Sequence, residues 1–231
     1  MQETSALYRR LVTERSHWFE ARLTIAGKEY REKDIYSINT DSEIFSSDPE
    51  IGKAVAAEVD LQVISSTEIP RMAPIALYTR VCTATEQSEW LPKGVFYIDT
   101  RQTTKNEDGL DLVTIHGYDA MLFSEQDYNG TNLTWPASDL SVVAEIAGKM
   151  GVQVDARTWD VMTDGNLLPL PAGLTMREVL RRIAGMYIGS FVMTDAGKLR
   201  LLTLLELPKE TNYLIDEDGN PITFGGDRIL V

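Results

Sequence analysis

Two stretches rich in β-branched and aromatic residues, GVFYIDTRQTT from Gly94 and LDLVTIHGYD from Leu110, flank the polar run KNEDG, which closes on Gly109. Residues of that kind suit a pleated sheet, and a short polar loop ending in glycine is turn chemistry. The pair predicts an antiparallel hairpin, the feature that most limits the fold. The residues upstream add strands to it. Phe19, Ala21, Leu23 and Ile25 alternate with Glu20, Arg22 and Thr24, the period of two of a half-buried strand. Val59, Leu61 and Val63 alternate with Asp60 and Gln62 within a strand expected over 55–64, and further strands are expected over 35–40 and 75–83. A short helix over 7–14 precedes them. The first 120 residues thus read as all-β with short connections, a barrel or a sandwich.

The pattern changes near Trp135-Pro136. Leu140, Val143, Ala147 and Met150 fall at helical spacing, and Gly151 is placed to end that helix. Thr175 and Glu178 form a T-x-x-E capping box. Met176, Val179, Leu180, Ile183, Ala184 and Tyr187 then recur along one continuous helical face. Residues 191–194 and 199–204 predict a second hairpin around Asp195-Ala196-Gly197. The chain is expected to be α+β: a mostly antiparallel β-barrel domain over 1–130, a smaller α+β domain with two helices and a β-hairpin over 131–210, and the start of a further β segment over 211–231.

Charge narrows the possible partners. The net charge is −13, split −9 before Gly130 and −4 after it. With no basic stripe to hold phosphates, stable nucleic-acid binding is disfavoured. An acidic surface instead repels a passing duplex. The single cysteine, Cys82, excludes an intramolecular disulfide and a cysteine-only metal site. No apolar run approaches the roughly 18 residues of a membrane helix, and MQETSALYRRL lacks the apolar centre of a signal peptide. A soluble chain without Sec export or membrane anchor is expected.

His116 is one of two histidines. On a strand, Leu112, Thr114, His116 and Tyr118 share a side, whereas Asp119 points away. His17 lies far upstream, and no H-E-x-x-H or G-x-S-x-G pattern occurs. His116 therefore reads as a hydrogen-bonded strand histidine, with Gly117 leading into a short helix at 119–122 whose N-cap is Asp119. DEDGN, residues 216–220, offers oxygens at alternate positions as a calcium loop does. Its sixth position is Pro221 and its twelfth Asp227, so a tight turn is the better reading. Asn129 and Asn132 match a glycosylation pattern but read as loop residues without an export signal. Trp90, Phe96 and Tyr97 suit either a sugar-binding face or a core. No catalytic, cofactor-binding or metal-binding motif is found, and none of these functions is assigned.

The runs EQSEWLPKGVFYIDTRQTT, LVTIHGYDAML, WPASDLSVVAEIAGKMGV, GLTMREVLRRIAGMYIGSFVMTDAGKLRLLTL and ITFGGDRILV resemble, in this order, the N-terminal part of a tail hub or tail-associated protein family of phages and prophages of Gram-positive bacteria. The resemblance covers nearly the whole chain, from about Phe19 to Val231. It implies a baseplate-hub-like virion protein whose tail-tube-like barrels assemble into a trimeric ring under the tube. The implied neighbours are tail-tube or distal tail proteins and tail-fibre or receptor-binding proteins, with DNA passing without stable binding. It also implies synthesis in the bacterial host cytoplasm and a part in host attachment or DNA ejection. Family members usually continue into a second barrel-like domain and often a fibre or peptidoglycan-cleaving region, so this chain corresponds to the first half. Two rival functions are kept beside it: a cell-wall hydrolase or peptidase of the tail tip, and a carbohydrate-binding β module for host adhesion.

Overall fold

The computed structural model describes residues 4–42, 50–163 and 165–203, together with the backbone of two short strands at 223–224 and 227–228. In chain order the elements are α1 (Ala6–Leu11), β1 (Trp18–Ile25), β2 (Lys28–Arg31), β3 (Ile35–Asp41), β4 (Lys53–Ala54), β5 (Glu58–Ile64), β6 (Pro74–Cys82), β7 (Leu91–Lys105) and β8 (Asp111–Asp119). A 3-10 turn over Ala120–Glu125 leads to β9 (Ala137–Ser138), α2 (Asp139–Met150), α3 (Ala156–Val161), β10 (Leu167–Leu168), α4 (Met176–Met186), β11 (Gly189–Met193) and β12 (Leu199–Thr203). The strands β13 (Thr223–Phe224) and β14 (Asp227–Arg228) pair with each other.

Seven strands form one antiparallel sheet in the order β2-β1-β6-β7-β8-β5-β3. Its two edge strands, β2 and β3, are consecutive in sequence and joined only by a 3-10 turn over Glu32–Asp34. Four Cα steps reach at most about 14 Å, so the far edges of the sheet must lie close together. The sheet is therefore curled into a half-barrel, as the α+β barrel expectation required. The alternating residues explain which side curls inward. Leu23, Ile25, Val59, Leu61, Val63, Ile75, Leu77, Phe96, Ile98, Val113 and Ile115 are all buried in one cluster inside the curl. Each such side chain contributes roughly 1.5–3 kcal/mol on leaving water. Tyr30 belongs to this cluster, and its hydroxyl is 2.9 Å from the Ser65 hydroxyl oxygen.

A second cluster gathers Met121, Tyr128, Val142, Val143, Ile146, Ala147, Met150, Val179, Leu180, Ile183, Phe191, Leu199 and Leu201 around α2 and α4. The predicted capping box on α4 forms: the Thr175 hydroxyl accepts from Glu178 N–H at 3.1 Å, and the Glu178 carboxylate accepts from Thr175 N–H at 2.8 Å. Gly151 ends α2 in the left-handed region, with φ 73°, a conformation that costs glycine little. The β11–β12 hairpin forms, and β4 adds to it in parallel through Ser190↔Lys53 and Phe191↔Ala54. Ala54, from the β-rich half of the sequence, is thereby buried in the second cluster.

Candidate interaction surface

Asp119 sits where β8 turns from the first cluster to the second. Its Oδ1 accepts from Met121 N–H at 2.9 Å, the expected N-cap bond. Its Oδ2 accepts from Ala57 N–H at 2.8 Å, a bond to the link between β4 and β5. The side chain is 3% exposed. Burial pushes its carboxyl up to about 6, against the opposing pull of the two backbone donors and of Arg177. Gly117, two residues earlier, has a plain steric reason: a Cβ there would lie 2.6 Å from the Tyr97 carbonyl oxygen on β7. HGYD is thus a strand exit held by close backbone packing.

His116 lies on the outer face of β8, as the strand parity implies. Its Nδ1 is 2.8 Å from Asp60 Oδ1, directly opposite it on β5. The carboxylate nearest to His116 along the chain is Asp119, but the histidine's partner in the fold is 56 residues away. The Asp60 side chain is 62% exposed and the histidine 29%, and the imidazole stands edge-on to Tyr118 with centroids 4.9 Å apart. This is a cross-strand surface pair of the kind worth roughly 0–1 kcal/mol. His17 is far from it in role, with Nδ1 2.6 Å from the Glu14 carbonyl oxygen.

The three aromatics considered as a sugar platform separate. Phe96 is buried inside the curl, Tyr97 points the other way onto Phe123 with centroids 4.7 Å apart, and Trp90 stacks under the guanidinium groups of Arg22 and Arg80 at 4.7 and 4.5 Å. Asn129 and Asn132 stand exposed on a loop. One carboxylate ties that loop to α2, since Glu145 accepts from the Tyr128 hydroxyl, from Thr131 Oγ1 at 2.9 Å and from Asn132 N–H at 2.8 Å. Burial and the Glu145 contact raise the Tyr128 phenol to about 12. Residues 216–220 lie outside the described residues. Among the described residues, no three His, Cys, Asp or Glu side chains converge to hold a metal ion, and no helix is long and apolar enough to cross a membrane.

Two concavities flank Asp119. One, of about 530 Å³, is the mouth of the curled sheet, where Ile38, Leu77, Phe96, Lys93, Asp119 and Asp195 meet. The other, of about 570 Å³, lies between β4, the end of β8 and α4; Lys53, Glu58, Tyr118, Glu125, Arg177 and Arg181 line it. Here Arg177 pairs with Glu125, and Lys53 pairs with Glu50 at 2.8 Å. Arg181 donates from Nε to the Gly52 carbonyl at 3.3 Å. Beside this cleft Ile51, Met186 and Ile188 are exposed at 49%, 48% and 41%. At the opposite end of β8, Leu110 is 48% exposed on the hairpin turn. Neither surface was singled out from the sequence. The helical periodicity of α4 marks Arg177, Arg181 and Arg182 as its outer face, but the approach of Ile51 from 125 or more residues away leaves no local signal.

No family model matches the chain, and no curated protein matches it by sequence. Several solved structures share its fold, two of them phage or bacterial tail proteins. The 43 kDa tail protein of prophage MuSo2 from Shewanella oneidensis superposes with a TM-score of 0.54 at 15% identity, over 86% of this chain and 59% of that one. The tail protein from Neisseria meningitidis MC58 superposes with a TM-score of 0.51 at 13% identity, over 88% of this chain and 54% of that one. The fold is shared with these two tail proteins, and the chain spans somewhat more than half the length of either.

Proposed function

We propose that this chain is a structural component of a phage tail or tail-derived injection particle, a hub or adaptor that forms a ring continuing or closing the tail tube. The observation that carries this is the sharing of one fold, over nearly nine-tenths of the chain, with two proteins identified as tail proteins. The resemblance in sequence supplies the finer parts: a trimeric hub, contact with tail-tube or distal tail proteins and with fibre or receptor-binding proteins, origin in phages or prophages of Gram-positive bacteria, and synthesis in the host cytoplasm before incorporation into the virion tail. The work of such a protein is mechanical. The curled sheet forms the wall of the ring, and the −13 charge repels DNA passing the ring so that it does not adhere.

Light scattering across a concentration series, with negative-stain imaging of the species formed, tests this reading. Rings or defined trimers are expected, alone or on addition of a tail-tube protein. A strict monomer under both conditions contradicts it.

A further inference from the structure

A −13 chain repels its own copies, so a contact between copies is favoured where local cations meet local carboxylates. The outer side of α4 supplies the cations. Arg181 and Arg182 are exposed; Arg181 donates to the Gly52 carbonyl and feels the Glu50 carboxylate at longer range, and Arg182 has no hydrogen bond or ion pair among the described residues. Three of the acids nearby are occupied, Glu178 in the capping box, Glu125 with Arg177 and Glu50 chiefly with Lys53, while Glu58 lines the cleft on its β5 side. Next to the arginines lies the exposed apolar trio Ile51, Met186 and Ile188. Two features fix it in place. Gly52 crosses α4 so closely that a Cβ on it would sit 3.4 Å from the Gly185 Cα. Ile188 has φ 51°, a left-handed conformation rare for a β-branched residue and kept where the surroundings impose it.

The complementary surface is the turn between β7 and β8. Glu107, Asp108 and Leu110 are exposed there. The turn is a built one: Asn106 N–H donates to the Leu110 carbonyl at 3.0 Å, Asn106 Oδ1 accepts from Leu110 N–H at 2.8 Å, and Gly109 takes φ 77°. It therefore presents two carboxylates and one apolar side chain as a preformed unit. Nine residue steps along β8 separate Leu110 from Asp119, about 30 Å at strand rise, and α4 lies at the Asp119 end. The two surfaces cannot meet within one chain.

We propose that the β7–β8 turn of one copy docks on the α4–Ile51 surface of the next, Leu110 entering the apolar trio while Glu107 and Asp108 face Arg181 and Arg182. Such a contact is heterologous and head-to-tail, and generates a ring if its rotation closes and an open chain if it does not. This rests on the self-assembly part of the proposed function and names the surfaces that carry it.

Bis-maleimide crosslinking tests it on the full chain, whose natural thiol, Cys82, is buried. A Leu110→Cys, Met186→Cys double variant should give a ladder of covalent multimers, whereas either single variant should stop at dimers. Adding Arg181→Glu and Arg182→Glu should cut the ladder roughly tenfold or more, and adding Glu107→Lys and Asp108→Lys alone should do the same. Combining both reversals should restore it. The tip reversal sits on a surface turn and serves as the second probe if the helix variant unfolds. Absence of a ladder, or a ladder indifferent to either reversal, overturns the contact. Imaging separates the two ideas: open chains without closure count against the ring but uphold the contact, and rings that persist in the helix reversal uphold the ring but not the contact.

Discussion

Asp119 carries the sharpest physical prediction. It is 3% exposed, accepts two backbone hydrogen bonds, and has its carboxyl raised by burial from 3.8 to about 6. A carboxyl whose folded value is raised is protonated in the folded chain over a range where the unfolded chain has already ionised. The folded state then binds more protons, so stability is favoured below the unfolded value and falls as pH rises through the folded one. The whole effect is about 3 kcal/mol, of which about 1.4 kcal/mol falls between roughly pH 5 and pH 7.5. Other carboxylates act in the opposite sense: Asp155, held down to about 2 by Arg157, and Glu20, held down by Arg80. Wild type alone therefore reports a mixture. The comparison that isolates Asp119 is with Asp119→Asn, which does not titrate. Its constant cost, one lost acceptor facing a backbone N–H, cancels in the slope. Urea unfolding of both chains across that range should show the variant gaining about 1.4 kcal/mol on wild type from the acid to the neutral end. A difference that stays flat would mean that the two backbone donors outweigh burial and that Asp119 is ionised throughout.

Two further outcomes follow from the same geometry. Gly117→Ala forces a Cβ to within 2.6 Å of the Tyr97 carbonyl, so β7 and β8 must separate; a loss of about 2–3 kcal/mol in chemical unfolding is expected, and a loss below about 0.5 kcal/mol would refute the packing argument. His116→Ala removes a surface pair with Asp60 and an edge-on ring contact with Tyr118 and should cost about 1–2 kcal/mol; loss of an enzymatic turnover in that variant, with folding intact, would instead favour the hydrolase reading.

What the sequence alone determined lies within a few residues of where it is written. The alternation in β1 and β5, the capping box at Thr175, the left-handed cap at Gly151 and the N-cap at Asp119 are local events, set by side-chain period and by backbone groups one to four residues away. The tertiary structure decided which strands became neighbours. It set β2 and β3, consecutive in sequence, on opposite edges of a curled sheet, and it paired Lys53-Ala54 with Ser190-Phe191. It brought Asp60 to His116, and it left Ile51 exposed beside the arginines of α4. No period in the sequence encodes these meetings. They depend on register and on how one sheet closes over its core, which balances the burial of Leu23, Leu61, Ile98 and their neighbours against the entropy of bringing distant segments together.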